Sequence, residues 1–271
     1  MKDLNLNQDA ASIAKEYCKK SNLVTILVVF VVLAVILGYI FTLHFSSSLI
    51  LIYLLLAIGA IYYKAYHRNQ LRFQLKTILY EYCDPEKQMA VFQAVRPHIF
   101  GQYLKRELDL DRIQCLVVME RFTKVEEELK KIQEKKLSSA SKIFYYNLYS
   151  NLYFHQGNAE GIEELKRKIR ELEQKRKNKR VSQQLAPTAL LLMNTHLAHL
   201  EGDTDTEKRN LERILRDASY PFQKVKFHYE LGMLEVKLSD NSEAKRNLQY
   251  VVDHGKAMVQ AQKAEQILSM L

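Results

Sequence analysis

The chain has 271 residues, 48% of them hydrophobic and 26% charged, with a formal net charge of +9, which is apolar material enough for a real core in one or two domains. Four prolines and eight glycines are too few for a turn-rich all-β fold or a disordered chain, so composition points to helix. Cys18, Cys83 and Cys115 stand alone, and this odd, scattered set forms neither a disulfide framework nor a CxxC metal or redox pair.

The first strong element is Leu23 to Leu43, "LVTILVVFVVLAVILGYIFTL", without a charged residue and long enough to cross a hydrocarbon core of about 30 Å as a helix. After "HFSSS" comes a second uncharged stretch, Leu49 to Tyr63, short enough to need the preceding serines or a thinned bilayer to complete a span from about residue 47 to 63. Together they predict a membrane hairpin over residues 23–63, with a short segment 1–22 before it. A cleaved signal peptide fits less well, because the apolar part is too long and a second one follows at once. Lys15, Lys19 and Lys20 precede the hairpin, Lys64, Arg68, Arg72 and Lys76 follow it, and the connection holds only His44. Cationic flanks stay in the cytoplasm, so both termini are expected there and the protein is expected in the cell membrane. No Asp, Glu, Lys or Arg lies within the apolar stretches to act as an ion ligand or proton relay. The lipid bilayer is thus the first expected partner, with the hairpin as an anchor.

From residue 64 to 271 the chain reads as an all-α cytoplasmic domain, with apolar residues at three- and four-residue spacing and short polar turns between them. Five turns mark five helix pairs: "CDPEK" at Cys83, "RFTKVE" at Arg121, "QGNAEG" at Gln156, "EGDTDTE" at Glu201 and "LSDNSE" at Leu238. Asp84 before Pro85, and Thr123 with Glu126, Thr204 with Glu207 and Asp240 with Glu243, supply helix-start chemistry. Behind the turns run single apolar stripes, such as Ile162, Leu165, Ile169 and Leu172. A pair with one apolar face must bury it on its neighbours, which predicts an α-solenoid.

The fifth unit, "HYELGMLEVKLSDNSEAKRNLQYVV", resembles a tetratricopeptide repeat. Leu231 and Gly232 match that family's Leu-Gly pair, Ala244 falls at its small crossing position and Leu248 at its large apolar one. "YYNLYSNLYFHQGNAEGIEEL" is similar but degenerate, keeping Leu148 and a small Gly161 while Tyr149 stands where the family prefers Gly. The resemblance implies about five stacked helix pairs behind the membrane hairpin, closed by a C-terminal helix in "KAMVQAQKAEQILSML", and protein partners bound along a concave groove.

Three constellations are candidates for chemistry. Tyr146, Tyr149 and Tyr153 share a stripe on one helix and are expected at a groove, where tyrosine gives rigid contact area with a polar tip. The basic run holds Lys166, Arg167, Arg170, Lys175, Arg176, Lys177, Lys179 and Arg180 and suits anionic lipid or an acidic partner better than nucleic acid. His196 and His199, with Glu201 and Asp203 behind them, have the spacing of two metal ligands on a helix, but on a helix that must also pack, beside Leu197 and Leu200, ordinary structural histidines are the better reading. Gly-rich phosphate loops, nucleophile elbows and HExxH patterns are absent from the sequence. The expectation is therefore a membrane-anchored scaffold or adaptor without catalytic residues, cofactor, bound nucleic acid or small-molecule substrate. A nucleic-acid- or lipid-binding regulator acting through the basic run is the alternative, and a metal-dependent enzyme the more remote one.

Overall fold

A computed structural model of the chain describes residues 3–42, 47–99, 101–174 and 185–271. Among the described residues all regular structure is helical. The twelve α-helices are α1 (Ala10–Thr42), α2 (Ser47–Tyr80), α3 (Pro85–Val95), α4 (Gln102–Val118), α5 (Phe122–Lys130), α6 (Ser139–His155), α7 (Ala159–Gln174), α8 (Ala186–Glu201), α9 (Thr204–Asp217), α10 (Pro221–Lys237), α11 (Asn241–His254) and α12 (Val259–Leu268). Contacts divide the chain into two compact units, Met1–Thr77 with Ala90–His98, and Ile78–Met89 with Ile99–Leu271.

In the first unit, α1 is the one helix among the described residues long and apolar enough to cross a membrane. Only 11% of its apolar window is buried, so it does not have the surroundings of a soluble core helix. Leu27, Phe30, Leu37, Leu54 and Ile61 are all more than half exposed. At 33 and 34 residues, α1 and α2 are each ~50 Å long at 1.5 Å per residue, longer than the apolar segments they contain. The polar ends are tied down. Asp9 caps α1 by accepting from the Ser12 amide at 3.0 Å and the Ser12 hydroxyl at 2.7 Å, and these bonds hold its carboxyl below the usual range. Leu4 is buried, its amide donates to Gln74 Oε1 at 3.0 Å, and Lys20 Nζ donates to the Asp3 carbonyl at 2.8 Å. The N-terminal arm is thereby fixed against α2. Gly38 faces Tyr53, whose ring would lie 3.0 Å from any added Cβ. The connection predicted at residues 44–48 lies largely outside the described residues.

In the second unit each helix packs on the next, and α4, α6, α8, and again α10 and α12, approach in alternate order through α4–α6, α6–α8 and α10–α12 contacts. Five connections share one geometry. A residue with positive φ follows the helix at Cys83, Glu120, Gly157, Gly202 and Ser239, and the amide after it reaches back to the preceding turn, as in Arg121 to Leu116, Asn158 to Tyr153 and Asp240 to Glu235. That is a left-handed helix stop, satisfying carbonyls the helix would leave open. The spacings are 37, 37, 45 and 37 residues.

Starts of the following helices differ from expectation in detail. Asp84, Asn158, Asp203 and Asp240 accept from the amides of Lys87, Gly161, Thr206 and Glu243. Thr123 forms no cap, since α5 starts at Phe122 after Arg121, and Thr204 already lies inside α9 while Asp203 caps it. An aspartate accepts with a full charge at the positive end of the helix, which explains why Asp203 takes the position from its neighbour.

Close helix crossings fall where small residues permit them. A Cβ on Gly232 would stand 2.8 Å from Leu248 Cγ, and one on Gly161 2.7 Å from the Tyr153 ring. Ala244 is fully buried. The core runs continuously from Leu110 and Ile113 through Val125, Leu148, Ile162 and Ile169 to Met193.

Candidate functional site

The helices of the second unit line a cavity of about 710 Å³ that is open to solvent on one side, past Leu185 and Met233, within the range that binds small or peptide-sized ligands. Alternate helices α4, α6, α8 and α10, together with α12, supply most of its wall, and each brings at least one polar side chain to it: Gln114, Asn147 and Asn151, His196, Lys226 with Glu230, and Gln260. Between them stand Phe144, Phe154, Tyr220, Phe222 and Phe227, with aliphatic residues filling the rest. The wall is apolar with polar groups spaced across it, an arrangement that orients a ligand without specifying a reaction.

The polar groups fall into two sets. The first set is satisfied internally. Lys226 Nζ donates to Asn151 Oδ1 at 3.1 Å and lies 3.6 Å from Glu230 Oε1. Burial raises the Glu230 carboxyl pKa, and Lys226 opposes that rise. His196 Nδ1 pairs with the Ser150 hydroxyl at 2.9 Å and its ring stacks on Phe154 with centroids 4.5 Å apart. Burial, then the neighbouring Lys226, then His199 hold His196 well below its ordinary pKa, so it is a neutral imidazole at physiological pH. Ser150 is fully buried and is not part of the cavity wall, so the pair presents no nucleophile there.

The second set is open. Gln114 Oε1, Asn147 Oδ1 and Gln260 Oε1 are buried and have no hydrogen-bond partner among the described residues, and all three residues line the cavity. A buried acceptor left unpaired costs about 1–3 kcal/mol, but these three oxygens are themselves sealed from water, so it is other atoms of the same residues that border the cavity.

Tyr146, Tyr149 and Tyr153, expected at a groove, do not line this cavity. Helix α6 carries two useful faces, and the cavity takes the one bearing Phe144, Asn147, Asn151 and Phe154. Tyr146 is 3% exposed, in the core, and its hydroxyl donates to Glu134 Oε1 at 2.7 Å. Tyr145, Tyr149 and Tyr153 continue as an edge-packed column with centroids 4.9 and 5.6 Å apart, and Tyr153 closes over Gly161 of α7. The overlooked signal was Asn147 and Asn151, one turn apart in an otherwise apolar helix, where asparagine is unfavourable unless it is used.

Of the basic run, Lys166 is buried and paired with Glu163 at 2.6 Å, so its ammonium is already engaged. Arg167 and Arg170 are exposed on α7. Lys175, Arg176, Lys177, Lys179 and Arg180 lie outside the described residues. The two histidines of α8 diverge: His196 turns to Ser150 of α6, while His199 Nδ1 lies 2.7 Å from Glu207 of α9. Asp203 is occupied as a helix cap. Among the described residues no three His, Cys, Asp or Glu side chains converge to hold a metal ion.

Comparison with protein-family models, curated proteins and solved structures found no match to the chain.

Proposed function

We propose that this protein is a membrane-anchored, cytoplasm-facing adaptor whose second unit holds a short segment of a protein partner in its central cavity. The observation that carries the reading is the cavity wall itself, apolar and aromatic, with polar side chains from α4, α6, α8, α10 and α12 spaced across it. A short peptide suits such a wall, with backbone polar groups at regular spacing and apolar side chains between them. The five similar left-handed turns, three of their four spacings being 37 residues, and the small residues Gly232 and Ala244 at one crossing, support a tetratricopeptide-like repeat origin. Anchoring rests on α1 and on the apolar half of α2, whose Gly38–Tyr53 contact favours a hairpin over residues 23–63. Tethering raises the effective concentration of the cavity for partners that are themselves at the membrane.

The test is a photo-crosslinking residue at Met233, a cavity position partly open to solvent, in the full-length protein in intact membranes. The expected product is a crosslink mapping to one short segment of one membrane-associated protein, reduced at least several-fold by Asn147→Leu or Gln114→Leu. A cavity probe that yields no protein, while the same probe at Arg167 yields RNA or lipid, would overturn the reading in favour of the basic face. A protein crosslink indifferent to both carboxamides would place partner binding elsewhere.

A further inference from the structure

Helix α2 carries one stripe that changes character along its length. Leu54, Ile58 and Ile61 are each more than half exposed, and at the same three- and four-residue spacing the stripe continues into Lys64 and Arg68. Exposed apolar surface therefore runs straight into positive charge. Lys64 and Arg68 are half-buried, as a long apolar stem laid along a helix pair is when its charge stays at the boundary. Tyr62, Tyr63 and Tyr66 stand exposed around α2 at the same level, and tyrosine gathers where hydrocarbon meets headgroups.

Helix α1 places that boundary a second time. Gly38 of α1 packs on Tyr53 of α2, and Tyr17 of α1 lies within electrostatic reach of Arg68 and Arg72, so the two helices run antiparallel side by side. Counted back from Gly38 and on from Tyr53, Leu27 is level with Lys64 and Leu23 with Arg68. Both leucines are more than half exposed, so α1 still presents apolar surface where α2 has turned cationic. The first unit supplies no counter-charge at this level. Its acidic residues are Asp3, Asp9 and Glu16, all farther from the apolar band than Tyr17; Asp9 caps α1, and Glu16 pairs with Lys20 at 2.6 Å. A free anion would leave the apolar half of the stripe uncovered, and an acidic protein segment would have to enter hydrocarbon. A phosphate that carries acyl chains suits both halves.

We propose that the stripe from Leu54 to Arg68 seats an anionic phospholipid, with an acyl chain along Leu54, Ile58 and Ile61 and the phosphate at Lys64 and Arg68. The proposal rests on the reading of α1 and α2 as a membrane hairpin, and its test separates the two. Full-length protein with Cys18→Ser and Ile61→Cys, carrying a bimane on the new thiol, is reconstituted into vesicles of phosphatidylcholine and phosphatidylglycerol at fixed ratio. Either one lipid or the other is brominated in its acyl chains, and quenching by each reports its occupancy of the stripe. Phosphatidylglycerol should be favoured on the order of tenfold, each cation near an anionic headgroup supplying about fivefold at most. Lys64→Gln or Arg68→Gln should each reduce the preference several-fold, the double variant should bring it near parity, and Arg68→Lys should keep it. A bimane at Phe30→Cys, level with Ile61 but on α1 and 68% exposed, should show no such preference. Quenching by brominated phosphatidylcholine checks insertion of every variant, so a lost preference is not mistaken for a lost fold. Equal quenching at Ile61→Cys by the two lipids would overturn the site and leave the anchor standing. So would a preference that survives the double variant and disappears with Arg167→Gln and Arg170→Gln on α7. Absence of quenching at both reporters would overturn the anchor and the lipid site with it.

Discussion

His196 shows how one residue serves packing and polarity together. It is buried against Phe154, bonded to Ser150, and faced by Lys226 of α10 and by His199 of its own helix. Burial first, then Lys226 and then His199, favour the neutral ring, so its folded pKa lies well below the 6.5 of the free side chain. The linkage sign follows: in acid the unfolded chain takes up a proton that the folded chain refuses, so stability is full above about pH 6.5 and falls as pH drops below it. The slope from this one group approaches about 1.4 kcal/mol per pH unit until the folded pKa is reached. A pH series of thermal melts in detergent should show this loss, and His196→Gln, which keeps a bond to Ser150 within reach, should flatten it. A residual slope of the same sign is expected from His228, whose pKa burial also lowers. An unflattened curve in the variant would assign the acid sensitivity to other groups.

At the scale of the element, helices with one apolar face were legible in sequence and those apolar all round were not. The stripe of Ile162, Leu165, Ile169 and Leu172 is buried as its spacing requires, because α7 has only one face that can leave water. Helix α6 has apolar residues on every side, so period alone could not say whether the tyrosines or the opposite stripe would meet the cavity. The turns were legible because their chemistry is local. The partner of each turn was not, since the ion pair of Glu120 with Lys263 of α12 spans 143 positions and no local rule encodes it. Close crossings fall between these cases, and α10 with α11 offers the cleanest test. Gly232→Ala places a methyl in the space of Leu248, which is fully buried, and should cost about 1–3 kcal/mol as overpacking. Leu248→Ala alone should cost about 2–5 kcal/mol as a cavity. The two should combine to less than their sum, because the added methyl enters the space the leucine leaves. Strict additivity in chemical denaturation would mean that α10 and α11 do not meet through this pair.

At the scale of the whole molecule, composition and flanking charge lead to the expectation of a membrane anchor. The first apolar helix is plain in sequence and in structure; the sidedness of the ends is a separate matter and is open to a direct measurement. The protein is suited to it, since its own thiols are quiet. Cys83 and Cys115 are buried, and burial pushes the Cys83 thiol up to about 11 and Cys115 higher still. Thiolate is the reactive form, so neither should label in the folded protein. With Cys18→Ser as background, Asn7→Cys reports the N-terminal arm and Met270→Cys, at a position 76% exposed, reports the C-terminus. A hairpin puts an even number of crossings between them, as does a segment that dips in without crossing. Both reporters should therefore be silent to an impermeant maleimide added to intact cells, and both should label after permeabilisation. Labelling of one reporter but not the other in intact cells would require an odd number of crossings and would reduce the anchor to α1 alone. Labelling of both from outside would overturn the orientation expected from Lys15, Lys19, Lys20 and the cations after residue 63, and would place the cavity on the other side of the membrane.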